Sequence, residues 1–321
     1  MSRASVIVPS VAGGPRLERL LGSLETEQQA ETIVVDNGSK AQSVTAACRN
    51  FGFVEPIRLV ENVGFSRAIN LAVQQASGEA IVLINDDVVV HPGFVERLAA
   101  CLGASADVAM VAGVLVSAED ETLIDTAGIE IDASLLAFDY MNGRPVRALE
   151  VAADPIGPCA AAAAYDRVAF IDAGGFDEAL FAYWEDVDLA LRLQIAGGRC
   201  ALAPRARGTH AHSATLKSGS ARKNYLMGFG RGYTLRKWGR ATPAGVLRSM
   251  PRDLPVAAGQ LLLDRTSAGI RGRIDGYRAA TPTHDFPAEL IRSYPRIGAA
   301  RTLARRARRK WRRARSTMAE R

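Results

Sequence analysis

Residues 80–87 join five consecutive apolar residues to Asn85 and two adjacent carboxylates, Asp86 and Asp87. The apolar run is typical of a strand that is buried on both faces, as in a parallel sheet. Ligands of open α/β sheets bind beyond the carboxyl ends of the strands, so the two acids are expected at the floor of a crevice. Oxygen ligands at such a place suit Mg²⁺ or Mn²⁺, which in turn bind phosphates. A simple turn is the alternative, because Asn and Asp are common turn residues.

Polar residues also follow three earlier predicted strands. They are Pro9 and Ser10, Asp36 and Asn37, and Asn62 and Gly64. Each alone could be a turn, but four such ends along one sheet edge are better explained by a shared ligand. A nucleotide fits, because Asp36 can accept a hydrogen bond from a base N–H and Gly64 permits close backbone approach.

Strands and helices alternate through the first hundred residues, which predicts an α/β protein with a doubly wound, mostly parallel sheet. The predicted strands are 6–8, 32–35, 57–60 and 80–84, and the predicted helices are 16–28, 42–51, 66–75 and 93–102. The chain has no GxGxxG after the first strand, which argues against a dinucleotide-binding site. It also has no GxxxxGK[ST] phosphate-binding loop. Residues 107–150 are predicted as strands and an irregular excursion, and 222–290 as mainly helical. The glycines Gly228, Gly230 and Gly232 indicate close contact between helices.

A second cluster places aromatic residues directly before acids. It reads Phe181, Ala182, Tyr183, Trp184, Glu185 and Asp186. Aromatic walls beside a carboxylate suit a sugar pocket, and desolvation there raises the pKa of a base toward its working range. If 184–195 is helical, Asp188 and Arg192 form an i,i+4 pair and the acids lie where the helix dipole favours them. A well-capped surface helix is therefore the alternative.

His210 and His212 follow a predicted strand at 201–203 and would face the same side of an extended chain. Beside a candidate cation-binding acid pair, a histidine can complete a metal site. A solvated loop is the alternative.

Composition narrows the class of protein. With 321 residues, 48% hydrophobic and 23% charged, the chain is ordinary globular material that forms one large domain or a main domain with an appendage. Four dispersed cysteines without a CxxC pair argue against a zinc ribbon or a disulfide scaffold and fit a reducing compartment. We see no signal peptide and no membrane-spanning run.

The basic charge is concentrated at the end of the sequence. From Arg292 onward there are twelve Lys and Arg against one Glu, so this tail carries +11 and the remaining chain carries −5. A narrow apolar stripe runs through it at Ala300, Leu303, Ala304, Ala307, Trp311 and Ala314. The pattern predicts a helix on an anionic membrane surface. Nucleic-acid binding and a solvated tail are the alternatives, and the acidic body argues against nucleic acid.

Taken together, these segments resemble the inverting family-2 glycosyltransferases of the GT-A fold, most of all the bacterial rhamnosyltransferase-like branch. The matching segments are 6–9, 33–39, 62–70, 84–87, 174–178, 181–189 with Arg192, and His210 with Ser213 and Thr215. Their order and spacing agree with the family across roughly residues 4–240. The expected organisation is a GT-A domain at 1–240, a helical extension at 241–290 and a basic amphipathic tail at 291–321.

The resemblance implies roles for the nucleotide and metal residues. Asp36 recognises the base, assisted by Asn37 and Gly64, with Pro9 and Asn62 nearby and Asp86 toward the ribose. Asp87 is the metal-binding carboxylate of a DxD-type motif. The resemblance also implies that His210 completes the metal site, with His212 as a competing candidate.

It further implies roles in transfer and acceptor binding. Asp186 corresponds to the catalytic base, with Glu185 as the second candidate. The acceptor side would be formed by Phe181, Tyr183, Trp184 and Arg192.

The implied reaction moves a sugar from a nucleotide-diphosphate donor, a dTDP-rhamnose-like sugar or a UDP-sugar, to a hydroxyl of a glycan or polyprenyl-linked acceptor. It would serve cell-envelope polysaccharide synthesis at the inner face of the plasma membrane, from the cytoplasm and with Mg²⁺ or Mn²⁺. A sugar nucleotidyltransferase is one alternative, although residues 10–15 lack the Gly-rich, Arg-containing first loop of that class. A non-catalytic membrane-surface adaptor is the other, and the complete set of Asp87, Asp186 and His210 argues against it.

Overall fold

The structure is a computed structural model that describes residues 3–27, 30–132, 134–210, 219–240, 242–284 and 286, without the side chains of 243–248 and 252. The described chain divides into two compact units. The first comprises residues 1–130 and 138–215, and the second comprises 131–137 and 216–321. His212 and the basic tail, and with them the predicted membrane-binding helix, lie outside the described residues.

The first unit is built on a nine-stranded sheet. Its strands are β1 (Ala4–Ser10), β2 (Glu31–Asn37), β3 (Val54–Leu59), β4 (Ala80–Ile84), β5 (Val88–Val90), β6 (Val108–Ser117), β7 (Asp120–Thr126), β10 (Ala162–Asp166) and β11 (Arg199–His210). Between them in the chain, β8 (Ile129–Ile131) and β9 (Ala137–Asp139) form a separate two-stranded sheet. The order in the large sheet is β3-β2-β1-β4-β10-β6-β11-β5, with β7 beside β6.

Strand direction determines where the residues predicted to bind ligands lie. β3, β2, β1 and β4 are parallel neighbours, while β10 runs antiparallel between β4 and β6. The register pairs Ser10 with Asp36, so the carboxyl ends of β1 and β2 are level. The predicted α/β class is confirmed. The sheet itself is mixed, with parallel pairing from β3 to β4 and of β6 with β11, and antiparallel pairing of β5, β7 and β10 with their neighbours.

Helices cover both faces of this sheet. They are α1 (Pro15–Leu24), α2 (Ser43–Cys48), α3 (Phe65–Gln75), α4 (Phe94–Leu102), α5 (Arg167–Asp172) and α6 (Glu185–Ile195). The core lies in two layers, one with the apolar side chains of α1 and α4, the other with those of α3 and α6. In α1, Leu17, Leu20, Leu21 and Leu24 recur at i, i+3, i+4 and i+7 and are all buried. Each such leucine contributes about 1.5–3 kcal/mol on burial, which fixes the helix against the sheet.

The second unit is helical, with α7 (Ala221–Lys237), α8 (Pro243–Leu263) and α9 (Ala268–Ala279). Helices α7 and α9 meet backbone to backbone, since a Cβ on Gly228 would lie 2.1 Å from the Gly269 carbonyl oxygen. On Gly232 it would lie 2.0 Å from the Arg273 carbonyl oxygen. The close helix contact predicted from these glycines is therefore confirmed, as is a helical C-terminal part.

Helix α7 falls in the second unit, although the predicted GT-A segment extends to residue 240. The division at 240 and 290 stays a prediction. Among the helices of the described residues, none has the length and apolar character needed to cross a bilayer.

Candidate active site

The ends of β1 and β4 are joined by a hydrogen bond, which the Ser10 hydroxyl donates to the Asp86 carboxylate. Burial, together with the adjacent charge of Asp87, raises the pKa of Asp86 to about 6, against the opposing effects of Ser10 and Arg16. Pro9 is half-buried in β1 beside Val35. The structure thus brings Ser10 and Asp86 together at the edge that the sequence predicts.

Asp36 is buried and organises the loop that follows β2. Its carboxylate accepts hydrogen bonds from the Ser39 amide at 2.9 Å and from the Thr45 hydroxyl at 2.7 Å. Burial raises the pKa of Asp36, but the hydrogen bonds from Thr45 and Ser39 outweigh it, so the pKa lies below its ordinary value. Asp36 is therefore a fixed anion, and its recognition of a base stays a prediction.

Asn37 ties the next loop to β2. Its side-chain amide donates to the Gly64 carbonyl oxygen at 3.0 Å and its Oδ1 accepts from the Val63 amide at 2.9 Å. The Asn62 side chain accepts from the Gly64 amide at 3.0 Å. Gly64 has a φ of +93°, and a Cβ there would lie 2.6 Å from the Phe181 carbonyl oxygen. The close approach seen at Gly64 is thus made by Phe181, and approach by a nucleotide stays a prediction.

The chain enters α6 through a strained turn. Tyr183 and Trp184 adopt φ angles of 71° and 78°, which non-glycine residues rarely do. Such residues cost on the order of 1–3 kcal/mol each and collect at functional sites. The turn is anchored to α3, because the Phe65 amide donates to the Phe181 carbonyl oxygen at 2.6 Å. This anchoring fixes the two acids that begin α6.

Asp186 and Glu185 differ in environment. Asp186 is partly exposed and accepts from the Val187 amide at 2.8 Å and the Ala160 amide at 3.4 Å. Burial, helped by the charge of Asp139, raises its pKa to about 6. Glu185 is only 6% exposed, and its Oε2 finds no hydrogen-bond partner among the described residues. Burial and the Asp186 charge raise the pKa of Glu185 well above its ordinary value, so Asp186 is the acid suited to accept a proton.

Most of the rest of α6 is buried, although Arg192 and Gln194 are half-buried and Ile195 is exposed, so α6 is not a surface helix. The predicted i,i+4 pair forms, with Arg192 Nε 2.9 Å from the fully buried Asp188 carboxylate. Arg192 also donates to the carbonyl oxygens of Ala173 and Gly175, the latter at 2.7 Å. These contacts hold the 173–175 turn on α6 and favour a structural role, while acceptor binding by Arg192 stays a prediction.

His210 lies between two carboxylates at the end of β11. Its Nε2 is 3.2 Å from Asp87 Oδ1 and its Nδ1 is 2.8 Å from Asp125 Oδ2. Burial lowers the pKa of His210, but the hydrogen bonds and charges of Asp125 and Asp87 outweigh it and raise the pKa to about 9. The structure thus brings Asp87 and His210 into direct contact, as the metal prediction requires, and adds Asp125, which the sequence did not single out, on the opposite side of the ring.

The donor set fits a divalent ion that also binds phosphates. Within the residues that the structure describes, no three acidic, histidine or cysteine side chains form a ready-made cage for an ion. Mg²⁺ needs none, since it usually takes one or two carboxylates and completes its shell with waters and substrate phosphates. The 3.2 Å between Asp87 and His210 is close to the separation of adjacent octahedral ligands, about 3 Å for bonds of 2.0–2.1 Å.

The aromatic residues before α6 are not equivalent. Phe181 and Tyr183 are half-buried, whereas Trp184 is 6% exposed. Burial, with smaller effects of Glu185 and Asp87, raises the pKa of Tyr183 to about 12. Tyr183 is therefore close to both the start of α6 and the end of β4. Contact of these aromatic rings with an acceptor stays a prediction.

Three residues of this region are absent from the sequence prediction. Asp125 contacts His210, and the charge of Asp139 acts on Asp186. Arg16 acts on Asp86 and lines a cavity of about 150 Å³ beside Asp87. The other lining residues are Arg19, Val88, Val89, Ala118 and Thr209. Two cations that line the same cavity are suited to an anionic ligand.

The fold is that of a glycosyltransferase, and its sheet edge carries a carboxylate–histidine contact, with an acid pair at the start of α6. The chain belongs to glycosyl transferase family 2, because the sequence model of that family matches residues 5–173. It is 30% identical over 237 residues to the N-acetylglucosaminyl-diphospho-decaprenol L-rhamnosyltransferase of Mycobacterium tuberculosis H37Rv, a match covering 65% of this chain and 76% of that protein. The predicted family-2, rhamnosyltransferase-like resemblance is confirmed.

Solved structures support the GT-A fold. GalNAc-T7 with UDP, GalNAc and Mn²⁺ matches with a TM-score of 0.62 at 15% identity, covering 92% of this chain and 58% of that one. The Pyrobaculum calidifontis mannosyltransferase PcManGT with GDP-Man and Mn²⁺ matches with a TM-score of 0.54 at 18% identity, covering 95% of this chain and 79% of that one. The present chain thus spans less than two thirds of GalNAc-T7, and both likenesses concern the fold.

Proposed function

We propose that this glycosyltransferase is a metal-dependent, inverting enzyme that uses Asp87 and His210 to bind the cation and Asp186 as the base. The observation that carries the proposal is the contact between Asp87 and His210, and the position of Asp186 is supported through Tyr183. Asp87 contacts His210 directly, and both Asp87 and Glu185, the neighbour of Asp186, act on Tyr183.

Asp186 is suited to take the proton of an acceptor hydroxyl. A pKa of about 6 leaves it ionised near neutral pH yet more basic than an ordinary carboxylate. The hydroxyl that loses its proton attacks the anomeric carbon, the bond to the diphosphate breaks, and a single displacement inverts that centre. Burial and the charge of Asp186 raise the pKa of Glu185 well above its ordinary value, which favours its protonated form and leaves Asp186 as the proposed proton acceptor.

The donor diphosphate is proposed to lie at the ends of β1, β2 and β4. Asp87 and His210 would hold a Mg²⁺ or Mn²⁺ ion, which stabilises the negative charge of the leaving diphosphate when bound. Arg16 and Arg19 line the adjoining cavity and add positive charge on the same side. Asp36, Asn37, Asn62 and Gly64 form the loops that would receive the nucleoside.

The donor and acceptor are proposed from the resemblance and from the matched mycobacterial enzyme. That protein is named as a rhamnosyltransferase acting on N-acetylglucosaminyl-diphospho-decaprenol. We propose a dTDP-rhamnose-like or UDP-linked donor and a glycan or polyprenyl-linked acceptor hydroxyl in cell-envelope polysaccharide synthesis.

Thermal-shift screening of nucleotide sugars with Mn²⁺ or Mg²⁺ tests the donor and the ion together. We expect one nucleotide class to raise the melting temperature, only with the metal, and the shift to vanish in Asp87→Ala. A shift of equal size without metal, or an undiminished shift in Asp87→Ala, contradicts the metal site.

We also propose that the tail brings the enzyme to the inner face of the plasma membrane, where lipid-linked acceptors lie. The support is the +11 charge with its apolar stripe from Arg292 onward. Sedimentation with anionic liposomes should be lost on truncation near residue 290. Binding that is equal for neutral and anionic vesicles would count against the proposal.

A further inference from the structure

We propose that Asp125 is a positioning residue that orients His210 toward Asp87 for metal binding. This inference rests on the proposed function, since it concerns the same cation. Asp125 Oδ2 lies 2.8 Å from His210 Nδ1, while the opposite ring nitrogen faces Asp87 at 3.2 Å. With its Nδ1–H donated to Asp125, the ring presents the Nε2 lone pair to an ion once that nitrogen is deprotonated. Histidine ligands of protein metal sites commonly donate their second N–H to a carboxylate in this way.

Burial makes the arrangement rigid. The side chains of Asp125, Asp87 and His210 are 5%, 9% and 13% exposed. At an exposed position, water would compete for both groups of such an ion pair. At this buried position, few other hydrogen-bond partners can compete for the His210 ring. The ring orientation therefore depends on Asp125.

The backbone around Asp125 is shaped to aim its side chain. Leu115 of β6 pairs with Thr126 and Val116 pairs with Ile124, so Asp125 is an extra residue in β7, a β-bulge. Bulges re-aim side chains and are frequent beside active sites. The Asn142 side-chain amide donates to the Asp125 carbonyl oxygen at 2.6 Å, and this hydrogen bond holds the backbone of the bulge in place.

Neighbouring strands bring His210 to this point from a distant part of the chain. His210 is the last residue of β11 and pairs with Val88 of β5 and Ser117 of β6. It is thereby held one residue from Asp87 on one side and beside the β6–β7 hairpin on the other. The charges of Asp125, Asp139 and Asp186 all act on the Cys159 thiol, so Asp125 belongs to the same acidic region as the proposed base.

The test is the affinity for Mn²⁺, measured by electron paramagnetic resonance of the free ion, with and without UDP or dTDP. We expect Asp125→Ala to weaken Mn²⁺ binding about 10–100-fold, as removal of such outer-shell partners typically does. Asp125→Asn keeps an acceptor for the Nδ1–H and should lose less. Asp120→Ala is the matched control, because Asp120 lies in the same strand but is exposed and hydrogen-bonds Thr122.

A double-mutant cycle separates positioning from a general structural role. If Asp125 acts through His210, Asp125→Ala should cause no further loss of Mn²⁺ affinity in a His210→Ala background. A full additional loss there, or wild-type Mn²⁺ affinity in Asp125→Ala, overturns the inference. If Asp125→Ala does not fold, Asp125→Asn in the same cycle gives the decision. Asp87→Ala separates failure of this inference from failure of the proposed function. Unchanged Mn²⁺ binding in Asp87→Ala contradicts the metal site itself.

Discussion

The two sides of the site differ in how their polar groups are satisfied. At the end of β2, Asp36 and Asn37 are hydrogen-bonded to neighbouring amides and to the Thr45 hydroxyl, and the pKa of Asp36 is lowered. At the start of α6, burial without enough hydrogen bonds raises the pKa values of Asp186 and Glu185. We call the end of β2 the framework side, because its polar groups have their hydrogen-bond partners within the protein. We call the start of α6 the acidic side, because its carboxyl groups are suited to accept a proton.

The contrast teaches where substitutions should affect chemistry and where they should affect folding. A residue whose partners all belong to the protein stabilises the fold, and its loss leaves a buried group unsatisfied. A residue held in an environment that perturbs its pKa is a candidate for chemistry. Substitutions at the acids should therefore affect chemistry most, and substitutions at the end of β2 should affect stability most.

The largest effect is expected for Asp87→Ala. Removing the carboxylate that would hold the cation should lower the transfer rate at least about 1,000-fold, because such an ion supplies several kcal/mol of charge stabilisation. The measurement is sugar transfer from the donor found by thermal shift, at saturating Mn²⁺. Retention of more than a tenth of wild-type turnover would falsify the assignment.

Asp186→Asn should be the next most severe change. Replacing a general base with an amide of the same shape should lower kcat about 100–10,000-fold while donor binding persists. The measurements are kcat and donor affinity by calorimetry. Wild-type-like turnover in Asp186→Asn would remove it as the base.

Glu185→Gln is the matched control for that change. Because Glu185 is buried and its pKa is raised well above the ordinary value, it is less suited than Asp186 to act as the base, and the isosteric amide should keep turnover within about tenfold of wild type. Loss of a general base should cost at least about 100-fold. If Glu185→Gln instead loses as much as Asp186→Asn, the roles of the two acids are reversed.

The pH dependence of turnover follows from the raised pKa of Asp186. Below about pH 6 the carboxyl is protonated and cannot act as a base, so kcat should fall about tenfold per pH unit on the acid side and level off above it. Asp86 titrates in the same range, but its effect should fall on donor KM because its predicted role is in nucleotide binding. A kcat at donor saturation that stays flat from pH 8 to pH 5 would contradict the assignment of Asp186.

The same contrast explains what could be predicted from the sequence. The strand ends on the framework side follow from apolar runs that stop at polar residues, so Asp36, Asn62 and Asp87 could be placed on one edge without a structure. The Asp125–His210 contact joins residues 85 positions apart and depends on a bulge in β7. An acid between Ile124 and Thr126 gives no local sign of its partner, and Arg16 resembles any exposed residue of an amphipathic helix.

On the framework side, Asn37→Ala should affect stability more than chemistry. It removes two buried hydrogen bonds that hold residues 63 and 64, and an unsatisfied buried group costs about 1–3 kcal/mol. The free energy of unfolding, measured with denaturant, should fall by that amount, while kcat at donor saturation changes little. A large loss of kcat with unchanged stability would show that the framework side takes a direct part in the reaction.

A weaker effect than that of Asp87→Ala or Asp186→Asn is expected for the double change Arg16→Ala and Arg19→Ala. Both residues line the cavity beside Asp87 but are exposed, and ionic contacts of exposed groups contribute about 0.2–1 kcal/mol each. Donor KM should therefore rise about twofold to thirtyfold with kcat unchanged, and the rise should shrink as salt screens the charges. Lys40→Ala with Arg49→Ala removes the same charge from exposed positions that do not line the cavity, and should leave KM unchanged. Equal effects of the two pairs would mean that the arginines act through net charge, and the cavity would then not be part of the donor site.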